Sequence, residues 1–517
     1  MHPFIYNACM INLDFLTLKA FLSENIDFLI GARLQKIRQP TRRDFILHIR
    51  NHSESKKLYI NINPEIYHIS FMSTENEIKR RLEIPKQPPM FCMLLRKYIE
   101  GCRISDAKVV ENERIFELHF ETFDEFSQRR FLCFSVELMG KHSNVILYDK
   151  ESMLVLGCAH NIGAEKNRYR ELRGGIKYVY PPKRDKLELS NELKKQFANL
   201  AENEITQYLN TETYRPAISG DRYTLFAELL ENAKTQASVS EMLDNYYSNI
   251  QELKILKNTK NKLATIVDTR YKKNKNSISK IETLLSKREN GEKYKKYGEL
   301  LTSNLFLKTD YENQVQLFDY TDNSEITIPL DNTKTMNENA QRYFRLYTKF
   351  KNTKAKSLEI LNNLKTEKEY LENILYSIEA AECIEDLYEI EAELGIENSN
   401  IKHKSENSIK KVQINGFDVY IGKNNKENDI IISKLSKDED YWFHTRLCAG
   451  SHILLKIKDI EPDESTIYEC AKLAREYSSA KLPSKVGIIY TKRKYIKKPP
   501  AAPLGYVIYK NEKEILI

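Results

Sequence analysis

Residues 246–290 read YYSNIQELKILKNTKNKLATIVDTRYKKNKNSISKIETLLSKREN, and neither proline nor glycine interrupts them. Lys260 and Asn274 fill the two vacant positions of an apolar series whose members alternate at spacings of three and four: Leu253, Leu256, Leu263, Val267, Tyr271, Ile278, Ile281 and Leu285. That spacing predicts a coiled-coil helix. Residues 254–296 carry fourteen Lys or Arg against four Asp or Glu. Such a surface is too polar all round for a helix buried in a globular core.

A second helical stretch follows at about 339–395, with an apolar stripe at Tyr347, Phe350, Leu358, Leu361, Leu364, Leu371, Leu375 and Ile378. Between the two stretches, LFLKTDYENQVQLFDYTDNSEITIPLD is typical of short strands and turns. The simplest assembly is an antiparallel coiled-coil hairpin over 246–396 with a middle domain at about 297–338. Arms of about 50 residues would reach roughly 75 Å. Two helices folded into a globular bundle are the alternative.

Mixed α/β patterns flank these arms. Residues 10–182 combine amphipathic helices, in DFLTLKAFLSENIDFLIG and PKQPPMFCMLLRKYIEG, with the strands RDFILHIR, KLYINI, RIFELHF, RRFLCFSVELM and NVILYDK. Residues 183–245 are polar and predicted to form a small helical module with a break around TYRPAISGD (213–221), and 397–408 a polar linker. Residues 409–517 contain the predicted strands KVQINGFDVYIG, DIIIS, DYWFHT, SHILLKI, VGIIYTK and GYVIYK around one helix, IYECAKLAREYSSA. The predicted fold class is therefore multidomain α+β.

Composition narrows the kind of partner and the compartment. The 517 residues include 81 Lys and Arg against 73 Asp and Glu, a net charge of +8 that favours a polyanion over an acidic small molecule. The eight cysteines are scattered without a CxxC pair, which favours buried free thiols in a reducing compartment. The N-terminus lacks the pattern of a signal peptide, and no window of 18 apolar residues occurs. We expect a cytoplasmic protein.

No catalytic set can be assembled from residue spacing. The sequence offers no Ser–His–Asp arrangement, paired-carboxylate cleft or metal-ligand cluster. The turn Gly422-Lys423-Asn424-Asn425 matches neither GxxxxGKS nor GxGxxG. We expect a protein that is not an enzyme and uses no cofactor and no metal.

The densest cationic run lies near the C-terminus, where Lys492, Arg493, Lys494, Lys497 and Lys498 surround Tyr495. Such a cluster can neutralise phosphates while the ring stacks on a base. A solvated strand edge, protected by its charges from aggregation, explains the run equally well.

Two further motifs combine polar groups at turns. DYWFHT holds the only tryptophan beside His444, and Ser451-His452 follows. Two histidines could ligate a metal, but without a third ligand a structural or RNA-stacking role is favoured. Between two predicted strands, Met139-Gly140-Lys141-His142-Ser143-Asn144 presents donors and a cation at one point. This turn suits a phosphate or an RNA edge, or is simply a hairpin turn.

Seven ordered segments resemble those of the NFACT family: PPMFCMLLRKYIEG (88–101), VELMGKHSNVILYDK (136–150), NRYREL (167–172), NAQRYFRLYTKFK (339–351), VYIGKNNKENDI (419–430), DYWFHTRLCAGSH (440–452) and the KKPP…GYVIY end (497–509). The resemblance covers about residues 10 to 517. It implies an NFACT-N domain at 10–182, shaped like the front half of formamidopyrimidine-DNA glycosylases, and a helix–hairpin–helix-like module at 183–245. It also implies a coiled-coil hairpin with a middle domain and an NFACT-R RNA-binding domain at 409–517.

The resemblance implies a role in ribosome-associated quality control. Family members bind large ribosomal subunits that carry a trapped peptidyl-tRNA and deliver tRNA, alanine-charged in bacteria, for C-terminal tailing of the nascent chain. The implied partners are therefore ribosomal RNA, tRNA (alanine tRNA first) and peptidyl-tRNA, with no membrane. Peptide bonds form at the ribosome's own centre, so the protein positions and does not catalyse.

The site residues that the resemblance implies lie in both terminal domains. For tRNA they are Asp14, Glu113, Arg114, Glu137, Lys141 and His142. For RNA in the C-terminal domain they are Asp440, Trp442, His444, Ser451, His452, Lys492, Arg493, Lys494, Lys497 and Lys498. The family has Asp where Glu113 stands, Arg where Lys141 stands and Pro where Ala449 stands. Residues 500–505 (PAAPLG) replace a GAKPG pattern that often includes a lysine.

Two other functions compete with this one. An adhesion protein that binds fibronectin is the alternative suggested by another name used for the family. A nucleic-acid enzyme related to glycosylases is the third, but glycosylase chemistry needs a Pro-Glu start that neither Met1 nor Met10 supplies.

Overall fold

The computed structural model divides the chain into two compact units, Met1–Ile255 and Leu256–Ile517. It describes residues 13–123, 128–163, 165, 169–182, 189–286, 291–307, 312–321, 323–396, 409–458, 460–480, 485–500 and 502–517. Met10 and the predicted linker 397–408 lie outside these residues, as does part of the NRYREL segment. Over the described ranges, every helix is too short or too polar to cross a membrane.

The first unit is built on a nine-stranded antiparallel sheet in the order β4-β3-β2-β1-β5-β6-β7-β8-β9. Its strands are β1 (Arg33–Thr41), β2 (Asp44–Asn51), β3 (Glu54–Asn61), β4 (His68–Phe71), β5 (Arg103–Val109), β6 (Ile115–Phe123), β7 (Arg129–Glu137), β8 (Asn144–Asp149) and β9 (Val155–Cys158). Its first helices are α1 (Phe15–Leu29), α2 (Thr74–Arg80) and α3 (Met90–Ile99).

Strand β7 is buried on both faces of the sheet, which explains its nearly continuous apolar sequence. Phe134 and Val136 belong to the main core with Phe21 of α1, whose ring lies 6.2 Å from that of Phe116. Cys133, on the alternate face, packs in a second cluster with Tyr148 and Tyr178. Because side chains alternate along a strand, Glu137 points to the face of this second cluster.

The predicted helical module at 183–245 is only partly helical. Helices α4 (Asn191–Phe197) and α5 (Glu202–Asn210) are followed by a small sheet of β10 (Ala217–Ser219), β11 (Arg222–Thr224) and β12 (Lys234–Thr235). The turn between β10 and β11 places Gly220 at φ +59°, a conformation that glycine adopts without steric cost. Strand β10 lies within TYRPAISGD (213–221), where the sequence predicts a break in the helical pattern. Strands β11 and β12, of three and two residues, are too short to show an alternating pattern, so the sequence predicted helix there.

Long helices carry the two predicted arms. Helix α6 (Val239–Ser286) is followed by α7 (Glu292–Ser303), the hairpin β13 (Gln314–Asp319) and β14 (Ser324–Pro329), and then α8 (Met336–Ala380) and α9 (Ile384–Glu393). Three hydrogen bonds join α6 to α8: Lys260 Nζ to the Glu379 carbonyl (2.8 Å), Tyr271 Oη to Glu372 Oε1 (2.9 Å) and Asn274 Nδ2 to Glu367 Oε2 (2.8 Å). Residue numbers rise on α6 as they fall on α8, so the helices run antiparallel.

The C-terminal part of the second unit is a six-stranded antiparallel sheet in the order β15-β16-β18-β17-β19-β22. Its elements are β15 (Lys410–Ile414), β16 (Phe417–Ile421), α10 (Asn425–Ile430), β17 (Tyr441–Thr445), β18 (Ile453–Leu455), α11 (Glu464–Glu476), β19 (Gly487–Lys492), the pair β20 (Ile496–Lys497) and β21 (Ile508–Tyr509), and β22 (Lys513–Leu516). The α+β class is confirmed.

The predicted strand DIIIS (429–433) is wrong, because this segment continues α10 into a π-helical turn at Ile431–Leu435. Asn424 caps the helix by accepting from Glu427 N at 2.8 Å, and the Glu427 carboxylate accepts from Lys423 N at 2.9 Å. An apolar run alone does not separate a buried strand from a buried helix. The N-cap Asn424, followed three residues later by Glu427, was the signal in the sequence that could have identified a helix start.

Candidate nucleic-acid interfaces

The turn between β7 and β8 exposes two side chains and is closed by a hydrogen bond within the turn. Gly140 opens it at φ +62°, and Lys141 and His142 are exposed. Ser143 Oγ accepts from Met139 N at 2.9 Å, which closes the turn from inside. Because this hydrogen bond lies within the turn, Lys141 and His142 are held at a defined place where β7 ends and β8 begins.

Arg114 lies next to this turn. Its carbonyl accepts from Leu138 N at 2.9 Å, and its Nη1 donates to the Tyr67 hydroxyl at 2.9 Å. The Tyr67 ring would lie 3.8 Å from a Cβ built on Gly140, so one tyrosine borders both the arginine and the turn. The structure thus brings Arg114 next to the turn that carries two other predicted residues, Lys141 and His142.

The three predicted carboxylates are buried instead. Asp14 caps α1 with Oδ1 accepting from Thr17 N at 2.9 Å, and its Oδ2 accepts from Ser190 N at 3.1 Å. Glu113 is 7% exposed, and Glu137 is fully buried. In this conformation these carboxylates shape the surface around the turn rather than lie on it.

Glu137 is held by a buried ion pair with Arg170 and by the Tyr178 hydroxyl, which donates to Oε1 at 2.8 Å. Burial lowers the pKa of Arg170, but the hydrogen bond and charge of Glu137 outweigh it, so the pKa is raised. Arg170 Nη1 also donates to the Val179 carbonyl at 2.9 Å. The pair therefore fastens the segment before Tyr180 to the end of β7.

Sequence reasoning missed two exposed arginines beside the same turn, Arg42 and Arg43, which follow β1. Asn144, which ends the turn, donates to the His160 carbonyl at 2.8 Å and accepts from His160 N at 3.0 Å. Burial lowers the pKa of His160, and the charges of Arg43 and Arg42 lower it further, which places both arginines near it. In the sequence, the one feature that could have indicated this surface was the pair of adjacent arginines between β1 and β2. We call Arg42, Arg43, Arg114, Lys141 and His142 the cationic edge.

In the C-terminal domain, Asp440 is a structural anchor, 1% exposed. Its carboxylate accepts from Lys437 N at 2.7 Å and Ile457 N at 2.9 Å, and pairs with Lys456 Nζ at 2.7 Å. Trp442, Ser451 and His452 are buried as well. These residues set the geometry of β17 and β18.

The cationic run 492–498 is largely engaged within the domain. Lys492 pairs with Glu439 at 2.8 Å and Glu461 at 2.7 Å, and Lys494 also pairs with Glu439. Arg493 Nε donates to the Ile432 carbonyl at 3.0 Å and to Ser436 Oγ at 2.9 Å, and Lys498 pairs with Asp429. Lys497 is exposed, without an acidic partner among the described residues. The partners lie more than thirty residues away in sequence, so the run alone overstated the free charge.

His444 is not arranged as a metal ligand. Its Nδ1 lies 2.7 Å from the Thr445 carbonyl oxygen and its Nε2 lies 3.2 Å from that of Gly450. Both ring nitrogens therefore face backbone acceptors. Burial lowers the pKa of His444, which favours the neutral ring.

A buried trio unforeseen from the sequence, Glu117, His119 and Cys133, brings three ligand-type atoms within 4.8 Å of one another. Glu117 accepts from two hydroxyls, Tyr180 at 2.8 Å and Tyr148 at 3.1 Å, and pairs with Lys108 at 3.2 Å. His119 Nδ1 lies 3.0 Å from Lys150 Nζ. The carboxylate is fully used and two ammonium groups border the trio, so it forms a hydrogen-bonded network rather than a metal centre.

Replacing Glu117 with Gln is expected to cost about 3 kcal/mol of stability at pH 7. Burial raises the pKa of Glu117, but hydrogen bonds from His119 and Tyr180 and the charge of Lys108 outweigh it and lower the pKa to about 2. A depressed carboxyl pKa stabilises the fold above the unfolded value of 4.5, and this contribution is lost as pH falls towards 2.

Guanidinium unfolding at pH 7 and at pH 3.5, a test value chosen roughly midway through this window, measures the effect. The difference in the free energy of unfolding between wild type and Glu117→Gln should become smaller at the lower pH. Glu121→Gln, on the same strand and paired with Arg129 at the surface, should change stability by at most about 0.5 kcal/mol. A gap independent of pH would contradict the assignment.

The fold and these surfaces define a multidomain α+β protein whose exposed cations cluster in turns between strands of its large sheet, an arrangement suited to a phosphate-bearing polymer. A family model described as NFACT N-terminal and middle domains matches residues 14–213 and 188–413, and one described as NFACT protein RNA binding domain matches residues 409–511. The chain belongs to the NFACT family. The resemblance seen in the sequence is thereby confirmed.

Two relatives named RqcH share almost the whole length of the chain. The Rqc2 homolog RqcH of Bacillus subtilis (strain 168) is 32% identical over 95% of each chain. The Rqc2 homolog RqcH of Streptococcus pneumoniae serotype 2 is 28% identical over 95% of this chain and 94% of the relative. The N-terminal structure of the fibronectin/fibrinogen-binding protein from Streptococcus suis is 26% identical, covers 46% of this chain and 100% of that one, and has a TM-score of 0.40. At that TM-score the likeness supports no conclusion about function.

Proposed function

We propose that this protein is a cytoplasmic, non-enzymatic ribosome quality-control factor that binds large ribosomal subunits carrying peptidyl-tRNA and recruits tRNA for C-terminal tailing. The observation that carries the proposal is the likeness to proteins named RqcH over 95% of both chains, since it includes every domain. The RNA-binding domain at 409–511 supports RNA as the partner. Alanine is the residue we expect the tail to contain.

The cationic edge is the part that we assign to tRNA. Phosphate contacts position a nucleic acid on a protein. A planar guanidinium group can donate two hydrogen bonds at once to the oxygens of one phosphate. Three arginines, one lysine and one histidine meet there within one domain. We assign a supporting role to the buried carboxylates of Asp14 and Glu137, which hold the start of α1 and the end of β7.

We also assign a spacer role to the paired helices α6 and α8, as an arm that sets the distance to the middle hairpin. Leu256, Leu263 and Val267 of the predicted seam are buried, and Leu253 is exposed. Asn274, at a vacant seam position, is 4% exposed and bonds to Glu367 across the pair. A buried polar residue in a seam specifies the register of helices at some cost in stability. A coiled-coil arm of fixed register would place the middle hairpin at a defined distance on a large particle.

Sedimentation of cell extract after induced stalling tests the function. At low salt the protein should migrate with free large subunits, and raising the salt should release it, because phosphate contacts weaken as counterions compete. Migration at the top of the gradient at low salt, with stalled subunits present, would overturn the proposal.

Replacing Arg114 with Ala should reduce the share of tRNA among crosslinked RNAs in cells several-fold while ribosomal RNA is retained. The guanidinium contributes a charge to the cationic edge and is oriented by Tyr67. Arg129→Ala is the matched control, since that arginine is exposed in the same domain and pairs only with Glu121 among the described residues. Equal tRNA recovery from Arg114→Ala and wild type would detach Arg114 from this role.

A further inference from the structure

A cavity of about 310 Å³ opens in the second unit beside β17. Its walls come from the late turns of α8, the loop after β17, and residues 504–509. Its aromatic and polar lining includes Trp442, His444, His452, Tyr506 and Tyr509. The volume is at the small end of the range for ligand pockets, which suits a ligand of one ring system and a few polar atoms.

Two side chains that line this cavity have unpartnered polar atoms. Trp442 and His452 are 1% and 3% exposed. Within the described part of the chain, neither Trp442 Nε1 nor His452 Nδ1 has a hydrogen-bond partner. Leaving a buried donor or acceptor without a partner costs about 1–3 kcal/mol each. A ligand with a polar edge would supply the missing partners and recover that free energy.

The lining favours a flat, uncharged group. The lining rings pack on one another, since Trp442 stacks on His444 with centroids 5.6 Å apart and packs against Tyr509 at 5.6 Å. Burial lowers the pKa of His452 well below its ordinary value, so its imidazole is neutral. At the rim, the cations Lys368 and Arg446 are balanced by two carboxylates, Glu369 and Glu372. The cavity therefore has no excess charge to attract a free anion.

The backbone of the 504–509 segment connects the cavity with the cationic run. Tyr509 pairs with Ile496, and Ile508 pairs with Lys497 on the neighbouring strand. Gly505, at φ +75°, lies against α10, where an added Cβ would be 3.2 Å from Asn425 Oδ1. The cavity wall and the cationic run therefore lie on adjacent strands.

We propose that this cavity receives one unpaired nucleobase, its face against the tyrosines and its polar edge towards Trp442 and His452. Base–aromatic stacking contributes about 1–3 kcal/mol per base, and single-stranded RNA is recognised by splaying bases onto aromatic side chains. The source is an unpaired base of RNA, as the proposed function of this domain requires. A free nucleotide would present the same base.

Trp442 is the only tryptophan in the chain, so its emission reports on this cavity alone. We would titrate the full-length protein with the four nucleoside monophosphates, with inorganic phosphate and ribose 5-phosphate, and with single-stranded and duplex RNA of one sequence. We expect a saturable change with nucleotides and single-stranded RNA, the RNA binding at least tenfold more tightly. Phosphate, ribose 5-phosphate and the duplex should leave the emission unchanged.

Tyr506→Ala should weaken the response at least fivefold, whereas Tyr506→Phe, which keeps the ring, should retain it. The same changes with phosphate or duplex as with nucleotides would overturn the proposal, as would tighter binding of free nucleotides than of RNA. Unchanged emission in a protein that still migrates with large subunits would refute the cavity alone and leave the proposed function standing. Failure to migrate with subunits would refute the proposed function by its own test.

Discussion

Replacing Asp244 with Ala is expected to lower the free energy of unfolding by about 3–5 kcal/mol, because removing one partner of a buried ion pair leaves the other charge buried and uncompensated. Asp244 is 2% exposed and pairs with the fully buried guanidinium of Arg80. Its Oδ2 also accepts from Ser73 N at 2.9 Å and from Asn76 Nδ2 at 2.8 Å. This carboxylate therefore links the start of α6 to α2 and to the residue that caps it.

The network extends beyond the pair, which increases the expected loss. Arg80 Nε donates to Gln251 Oε1 at 2.8 Å, and Gln251 Nε2 donates to the Tyr59 hydroxyl at 2.9 Å. The Arg80 guanidinium lies 4.6 Å from the centroid of the Tyr59 ring. Losing Asp244 would free Arg80 to move. Its two neighbours, Gln251 and Tyr59, would then each lose a buried contact with the guanidinium.

Guanidinium unfolding followed by circular dichroism measures this loss. Asp268→Ala is the control on the same helix, because Asp268 pairs with Lys272 at the surface, where such a pair contributes at most about 1 kcal/mol. The double variant Arg80→Met/Asp244→Leu should lose less than the single variant, since it leaves no buried charge. Equal losses from Asp244→Ala and Asp268→Ala would show that the buried pair has no special weight.

Reversing two charges of the cationic edge, with Arg42→Glu/Arg43→Glu, is expected to weaken binding of free tRNA by at least about tenfold. Each arginine that contacts a phosphate releases counterions on binding, so the slope of log K against log salt should also fall by roughly 1–2. Both side chains are exposed and near His160, which Asn144 ties to the turn that presents Lys141.

Fluorescence anisotropy of labelled tRNA at two salt concentrations provides both quantities. Lys194→Glu/Lys195→Glu changes the net charge equally at another adjacent pair of exposed cations, on α4, and should cost at most about threefold. Arg42→Lys/Arg43→Lys keeps the charge and should retain most of the affinity at low salt. If both reversed pairs weaken binding equally, net charge alone acts and the cationic edge has no special role.

Local periodicity predicted much of the fold correctly. The apolar stripe of α1, the helix after the Pro-rich loop and the strands β2, β3, β6, β7 and β8 follow from spacing within each segment. Its failures have a common cause. The buried run at 429–433 lacks a period, and strands as short as β11 and β12 have too few residues to show one. In such segments the tertiary environment and the capping residues determine whether a helix or a strand forms.

Sequence alone determined the family, the α+β class and the presence of two long polar helices, because motifs and periods are written in neighbouring residues. Tertiary structure decided which charges are free. Glu439 and Glu461 bind Lys492 and Lys494, and Arg170 neutralises Glu137 in a buried ion pair. The sheet brings Arg42 and Arg43 to the turn at Lys141. The free energy of a charge depends on its distance from other charges and from water, and only the folded chain sets those distances.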